Sequence, residues 1–183
     1  MVKEEIRVRH VARTNYRWPE IQLNIWIIVV LSGAATCLGI FSWFMVVQSQ
    51  MNLGTPWLFP YMVVTSALGV LFIFMVLGLL IARGLLLPGV LLLGSFILFV
   101  LFLTGLIETA LQLYGVSGNV NDNCQNYVVE NVSHGNNINT LAWLTQSLIC
   151  NCWKTAFAFE LVNTIFYIWM MVMSWQVHRD FYH

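Results

Sequence analysis

The chain has 183 residues, 59% of them apolar and only 9% charged, with a formal net charge of zero. A soluble domain normally carries about 25% charged residues, so a hydrated surface around a core is excluded, and bulk charge offers nothing to attract a nucleic acid. The mean hydropathy of +0.76 fits a single domain whose outer face is lipid.

Residues 1–20 form a basic lead with Lys3, Arg7, Arg9, Arg13 and Arg17, softened by Glu4 and Glu5. Arg7, Arg9, Arg13 and Arg17 are candidates for contact with anionic headgroups, at about 1 kcal/mol each near the surface. Trp18-Pro19-Glu20 reads as a helix start, since Pro suits the first turn and an acid suits the positive end of the helix dipole. The apolar run that follows is too long for the roughly 7–15-residue core of a cleavable signal peptide, and reads as a retained signal anchor.

Four apolar blocks are predicted to span a bilayer: 21–47, 60–82, 86–113 and 152–177. Each exceeds the ~20 residues that cross about 30 Å of hydrocarbon as a helix. Between the first two lies a short loop, 48–59, broken by Gly54 and Pro56. A tight turn at 83–85, holding Arg83 and Gly84, makes the second and third spans an antiparallel hairpin. A larger polar loop occupies 114–151, and a short tail, 178–183, closes the chain. The fold class is therefore all-α: a polytopic membrane protein built as an antiparallel bundle of four transmembrane helices.

Basic residues collect on the cytoplasmic side of membrane proteins. With both termini cytoplasmic, seven of the eight Lys and Arg residues lie inside, and only Lys154 lies outside. The 114–151 loop then faces an oxidising compartment. It holds the glycosylation acceptor Asn131-Val132-Ser133 and the cysteines Cys124 and Cys150, with Cys152 at its edge. Cys124 paired with either Cys150 or Cys152 closes a loop of about 25 residues and stabilises by ~3 kcal/mol. Cys37, within the first span, reads as a small packing residue.

Two carboxylates fall inside spans. Glu108 and Glu160 sit on antiparallel helices at similar depth, ~10 Å below the outer surface at 1.5 Å per residue. Intramembrane acids are costly and invite a functional reading: here a proton or cation site supported by Asn163. The favoured reading is structural, a polar cluster of Glu108, Lys154, Glu160 and Asn163 that sets helix packing. No paired half-helix breaks or internal repeat of the transporter kind accompany the acids. Small residues (Ser32, Gly33, Ala35, Thr36 and Gly39; Thr65 and Gly69; Gly78 and Ala82; Gly105 and Thr109) let helices approach closely, within the bundle or between copies. Trp and Tyr residues at the span ends are interfacial anchors.

Signatures of phosphate-binding loops, zinc hydrolases and serine hydrolases are missing, and His10, His134, His178 and His183 all lie outside the spans. No catalytic residue, metal ligand or cofactor is expected. The layout resembles MARVEL-type tetraspans. The start of the fourth span, Cys150-Asn151-Cys152-Trp153-Lys154-Thr155-Ala156-Phe157-Ala158-Phe159, is similar to the Cys-rich start and Ala/Phe run of fungal MARVEL-like proteins. The first outer loop has no cysteine pair of the claudin kind, and the second lacks the Cys-Cys-Gly motif of tetraspanins. The resemblance implies a non-enzymatic role in the plasma membrane or secretory-pathway membranes: organising membrane domains, trafficking, or accompanying a larger membrane complex. Its partners would be lipids, other membrane proteins or further copies of itself. The competing expectation is a small transporter or ion-coupled protein that uses Glu108 and Glu160.

Overall fold

The structure is a computed structural model that describes residues 18, 20–52, 54–81, 88–116, 119–130, 132 and 138–179, and the backbone of 180–182. The described elements are all helical: α1 (Glu20–Gln50), α2 (Leu58–Ile81), α3 (Pro88–Tyr114), a short α4 (Val120–Cys124) running into a π-helical turn (Gln125–Val129), and α5 (Ile138–Tyr182). Four of these, α1, α2, α3 and α5, are long and apolar enough to cross a membrane.

Local chemistry sets the helix ends. Past α1 the chain turns at Asn52, whose φ of 53° is one that Asn tolerates better than most residues. Its N–H bonds back to the Ser49 carbonyl at 3.2 Å. Gly54 and Pro56 then prevent the helix from resuming. α3 opens on Pro88, whose missing N–H costs nothing in a first turn. It closes at Gly115, whose N–H reaches the Leu111 carbonyl at 2.9 Å. Asn119 caps α4 by accepting the Asp122 N–H at 2.7 Å, while its own amide donates to the Gly115 carbonyl at 2.7 Å.

The helices run up, down, up, down, each antiparallel to two neighbours. α1 packs on α2 and α5, and α3 packs on α2 and α5, with the α3–α5 contact the most extensive. Ring and hydrogen-bond pairs give the register. Trp26 meets Phe72 while Phe41 meets Phe59. Trp26 Nε1 donates to the Phe166 carbonyl at 2.9 Å while Phe44 stacks on Trp153. Phe102 meets Tyr167 while Tyr114 meets Phe157. The start of α1 and the end of α5 therefore share one end of the bundle, and the α4 segment sits at the other.

The centre is filled with large side chains. Trp26, Phe41, Phe102, Tyr167 and Met170 have no exposed surface. Near the α4 end, Phe41, Phe44, Phe59 and Trp153 form an aromatic cluster with centroids 5.4–6.5 Å apart. The outward faces are equally apolar: Ile28, Val64, Leu71, Phe74, Leu93 and Phe96 are all more than half exposed. A surface of this kind needs hydrocarbon around it.

α5 corrects the expected loop. Helix covers 138–151, which the polarity of the stretch had assigned to the 114–151 loop, so α5 runs for 45 residues. At 1.5 Å per residue that is ~68 Å, about twice a hydrocarbon core. The reason is an absence: no Pro or Gly occurs between Ile138 and Tyr182, and scattered Asn, Thr and Gln lower helix propensity only slightly. The turn at 83–85 lies outside the described residues, as do Arg7, Arg9, Arg13 and Arg17 of the basic lead.

Candidate functional site

The bundle holds a buried polar seam on α5. Glu160, Asn163 and Tyr167, all with zero exposure, are spaced three and four residues apart and so share one helix face. α3 supplies the one direct partner: Thr109 Oγ1 donates to Glu160 Oε1 at 3.2 Å. α1 supplies space and a thiol. The Asn163 amide lies directly on Gly33, where any Cβ would overlap it. Cys37 Sγ lies 3.9 Å from the Ala156 carbonyl, four residues before Glu160. From α2, Gly69 lets Tyr167 in: a Cβ there would stand 3.1 Å from the phenol oxygen. Each of these three spanning helices thus yields a small or hydroxyl residue where α5 is polar, the packing logic of helices in lipid.

Much of this seam has no protein partner. Glu160 Oε2, both amide atoms of Asn163, the Tyr167 hydroxyl and the Ser66 hydroxyl are buried without a hydrogen bond. Buried polar atoms in native proteins are nearly always satisfied, by protein or by bound water and ions.

The expected four-residue cluster does not assemble. Glu160 and Asn163 come together inside, but Glu108 is only half-buried and accepts a hydrogen bond from Gln112 of its own helix at 3.1 Å. Thr109, one residue further, is the side chain that faces α5. Lys154 is exposed: six positions before Glu160 amounts to about 600° of helix rotation, which leaves it some 120° off the buried face. Sequence reasoning missed Tyr167 and Thr109 as members of the seam. The spacing of Glu160, Asn163 and Tyr167 was the available signal.

At the α4 end, the open pairing resolves to Cys124–Cys150, with the Cα atoms 5.9 Å apart. Cys37 and Cys152 are free. Two residues along a helix is about 200° of rotation, so Cys152 points away from α4 while Cys150 faces it. The indole of Trp143 donates to the Val128 carbonyl at 2.9 Å, a second clasp between the π-helical turn and α5. An open pocket of about 200 Å³ lies between them, with the disulfide and Trp153 in its wall. Asn131 and Ser133 of the glycosylation acceptor lie outside the described residues. Thiol labelling of denatured, unreduced protein followed by mass spectrometry should modify two cysteines, Cys37 and Cys152, and all four after reduction. Labelling of Cys150 without reduction would refute the pairing.

Fold and surface together define an integral membrane protein of four spanning helices. No known protein family, characterised protein or solved structure matches the chain.

Proposed function

We propose that this chain is a MARVEL-like tetraspan that works without catalysis, as an organiser of membrane domains, a trafficking factor or an accessory subunit of a larger membrane complex. The observation that carries this reading is the closed bundle. Its axis is plugged by Trp26, Phe41, Phe102 and Tyr167 at zero exposure, which leaves its lipid-facing and outer surfaces for contact with partners. A second feature agrees: the part of α5 beyond the aromatic cluster exposes Ile138, Leu141, Leu144 and Leu148, each by more than half, at spacings that place them along one side of the helix. Both termini cytoplasmic and the α4 end in the lumen or outside the cell, as the basic residues imply, complete the proposal.

Purification from native membranes in mild detergent tests it. A stoichiometric membrane partner or a defined homo-oligomer is expected, and a monomer that moves a solute in proteoliposomes would overturn it. The ion-coupled alternative draws support from the burial of Glu160, and predicts flux that Glu160→Gln abolishes while folding is kept. A glycan on Asn131, removable by glycosidase, is expected from the orientation. Modification of the 114–151 loop from the cytoplasmic side alone would reverse it.

A further inference from the structure

We propose that Glu160 anchors a monovalent-cation site inside the bundle, filled by a proton or an alkali-metal ion, with Thr109, Asn163 and Tyr167 as the accompanying oxygen donors.

The first argument is charge. Glu160 is the one acidic side chain among the buried described residues, and no Lys, Arg or His accompanies it there. A lone carboxylate in a low-dielectric interior is prohibitively expensive. Lys154, the nearest cation along the helix, is exposed. Among the described residues none supplies the balancing positive charge, and a bound cation would.

The second argument is coordination. Thr109 occupies Glu160 Oε1, but Oε2 has no partner, nor do the Asn163 amide and the Tyr167 hydroxyl, all fully buried. Long side chains on a helix lean toward its N-terminus, so Tyr167 leans toward Asn163 and Asn163 toward Glu160. Cys37 Sγ lies 3.9 Å from the Ala156 carbonyl, four residues before Glu160, which brings a thiol of α1 to that end of the row. The donors are oxygens, suited to a hard cation, and a single carboxylate balances one charge, not two. Among the described residues no three His, Cys, Asp or Glu side chains converge, so transition-metal chemistry does not compete for the site. The titratable groups along the row are Cys37 of α1, whose thiol lies at the Ala156 carbonyl one turn before Glu160, and Tyr167 of α5 itself, whose hydroxyl lies at Gly69. The buried polar groups of α2 and α3 are hydroxyls: Thr65, Ser66, Ser95 and Thr109. Glu108 of α3 is engaged with Gln112.

Infrared spectroscopy of the full chain in lipid nanodiscs tests the proposal, with choline as the only added cation at the start. Wild type should show the carbonyl stretch of a neutral carboxylic acid at neutral pH. Glu160→Gln should lose that band, and Glu108→Gln should keep it. Adding sodium or potassium chloride then separates the two occupants. Fading of the band with a saturable rise in melting temperature identifies an alkali-metal ion, and an unchanged band identifies the proton. Both outcomes support the site. If wild type shows no neutral-acid band from mildly acidic to mildly alkaline pH and no response of melting to either salt, the proposal fails. Those wild-type measurements decide the matter even if Glu160→Gln does not fold. Association with a partner is read separately, so the two proposals stand or fall apart.

Discussion

Trp26→Ala should destabilise the bundle by about 3 kcal/mol, the lower end of the range for deleting a large buried aromatic. The lower end is appropriate because lipid is as apolar as the core, so the transfer contribution is small and the lost packing remains. Trp26 has no exposed surface and joins three helices. Its ring sits edge-on to Phe72 of α2 and to Tyr167 of α5, and its indole N–H donates to the Phe166 carbonyl at 2.9 Å. Trp26→Phe keeps most of the packing and loses the hydrogen bond, about 0.6 kcal/mol for such bonds in membrane bundles, together with the contacts of the missing part of the indole. Unfolding monitored in mixed micelles should rank wild type above Trp26→Phe and far above Trp26→Ala. Equal losses for both variants would show that packing is not what Trp26 contributes.

The second large effect is expected at Gly33. Replacement by Val places side-chain atoms where the Asn163 amide lies, with a Cβ 2.8 Å from Nδ2 and closer still to Oδ1. Asn163 is fully buried, so its side chain has no solvent to retreat into, and α1 and α5 must separate. Overpacking of this kind costs about 1–3 kcal/mol. Combining Gly33→Val with Asn163→Ala removes the clash, so the double variant should be more stable than Gly33→Val alone. Contacting residues show such non-additivity by about 0.5–3 kcal/mol. Purely additive losses in unfolding would show that the two side chains do not meet. By contrast Gly39 and Gly78 have nothing within 4 Å of an added Cβ, and Gly39→Ala or Gly78→Ala should leave the folded bundle intact. The small-residue stripes are thus divided: Gly33, Gly69 and Gly105 receive side chains of neighbouring helices, while Gly39 and Gly78 face outward.

The spans were legible because each must be apolar over its whole length, whichever neighbour it meets. The structural ends differ from the predicted ones by a few residues for α1, α2 and α3. α5 was read too short because polarity was taken as the sign of a loop, although a helix outside the hydrocarbon tolerates Asn, Thr and Gln as readily as a loop does. The disulfide was legible as a choice between two partners for Cys124. Helical phase made the choice, because Cys150 and Cys152 point to nearly opposite sides of α5.

The polar seam was half legible. Glu160 and Asn163 stood out as polar residues in an apolar block, but Glu108 and Lys154 stood out equally, and only Glu160 and Asn163 turn inward. In a soluble protein the alternation of polar and apolar residues marks which face of a helix is buried. In lipid that mark is missing, because Ile28 and Leu71 on the outside are as apolar as Trp26 and Ile73 on the inside. Composition and length alone therefore determined that the chain forms four spanning helices. Rotation of each helix about its axis, which chose Thr109 over Glu108, Cys150 over Cys152 and Glu160 over Lys154, was decided only where Gly33, Gly69 and Gly105 allow neighbouring side chains to enter.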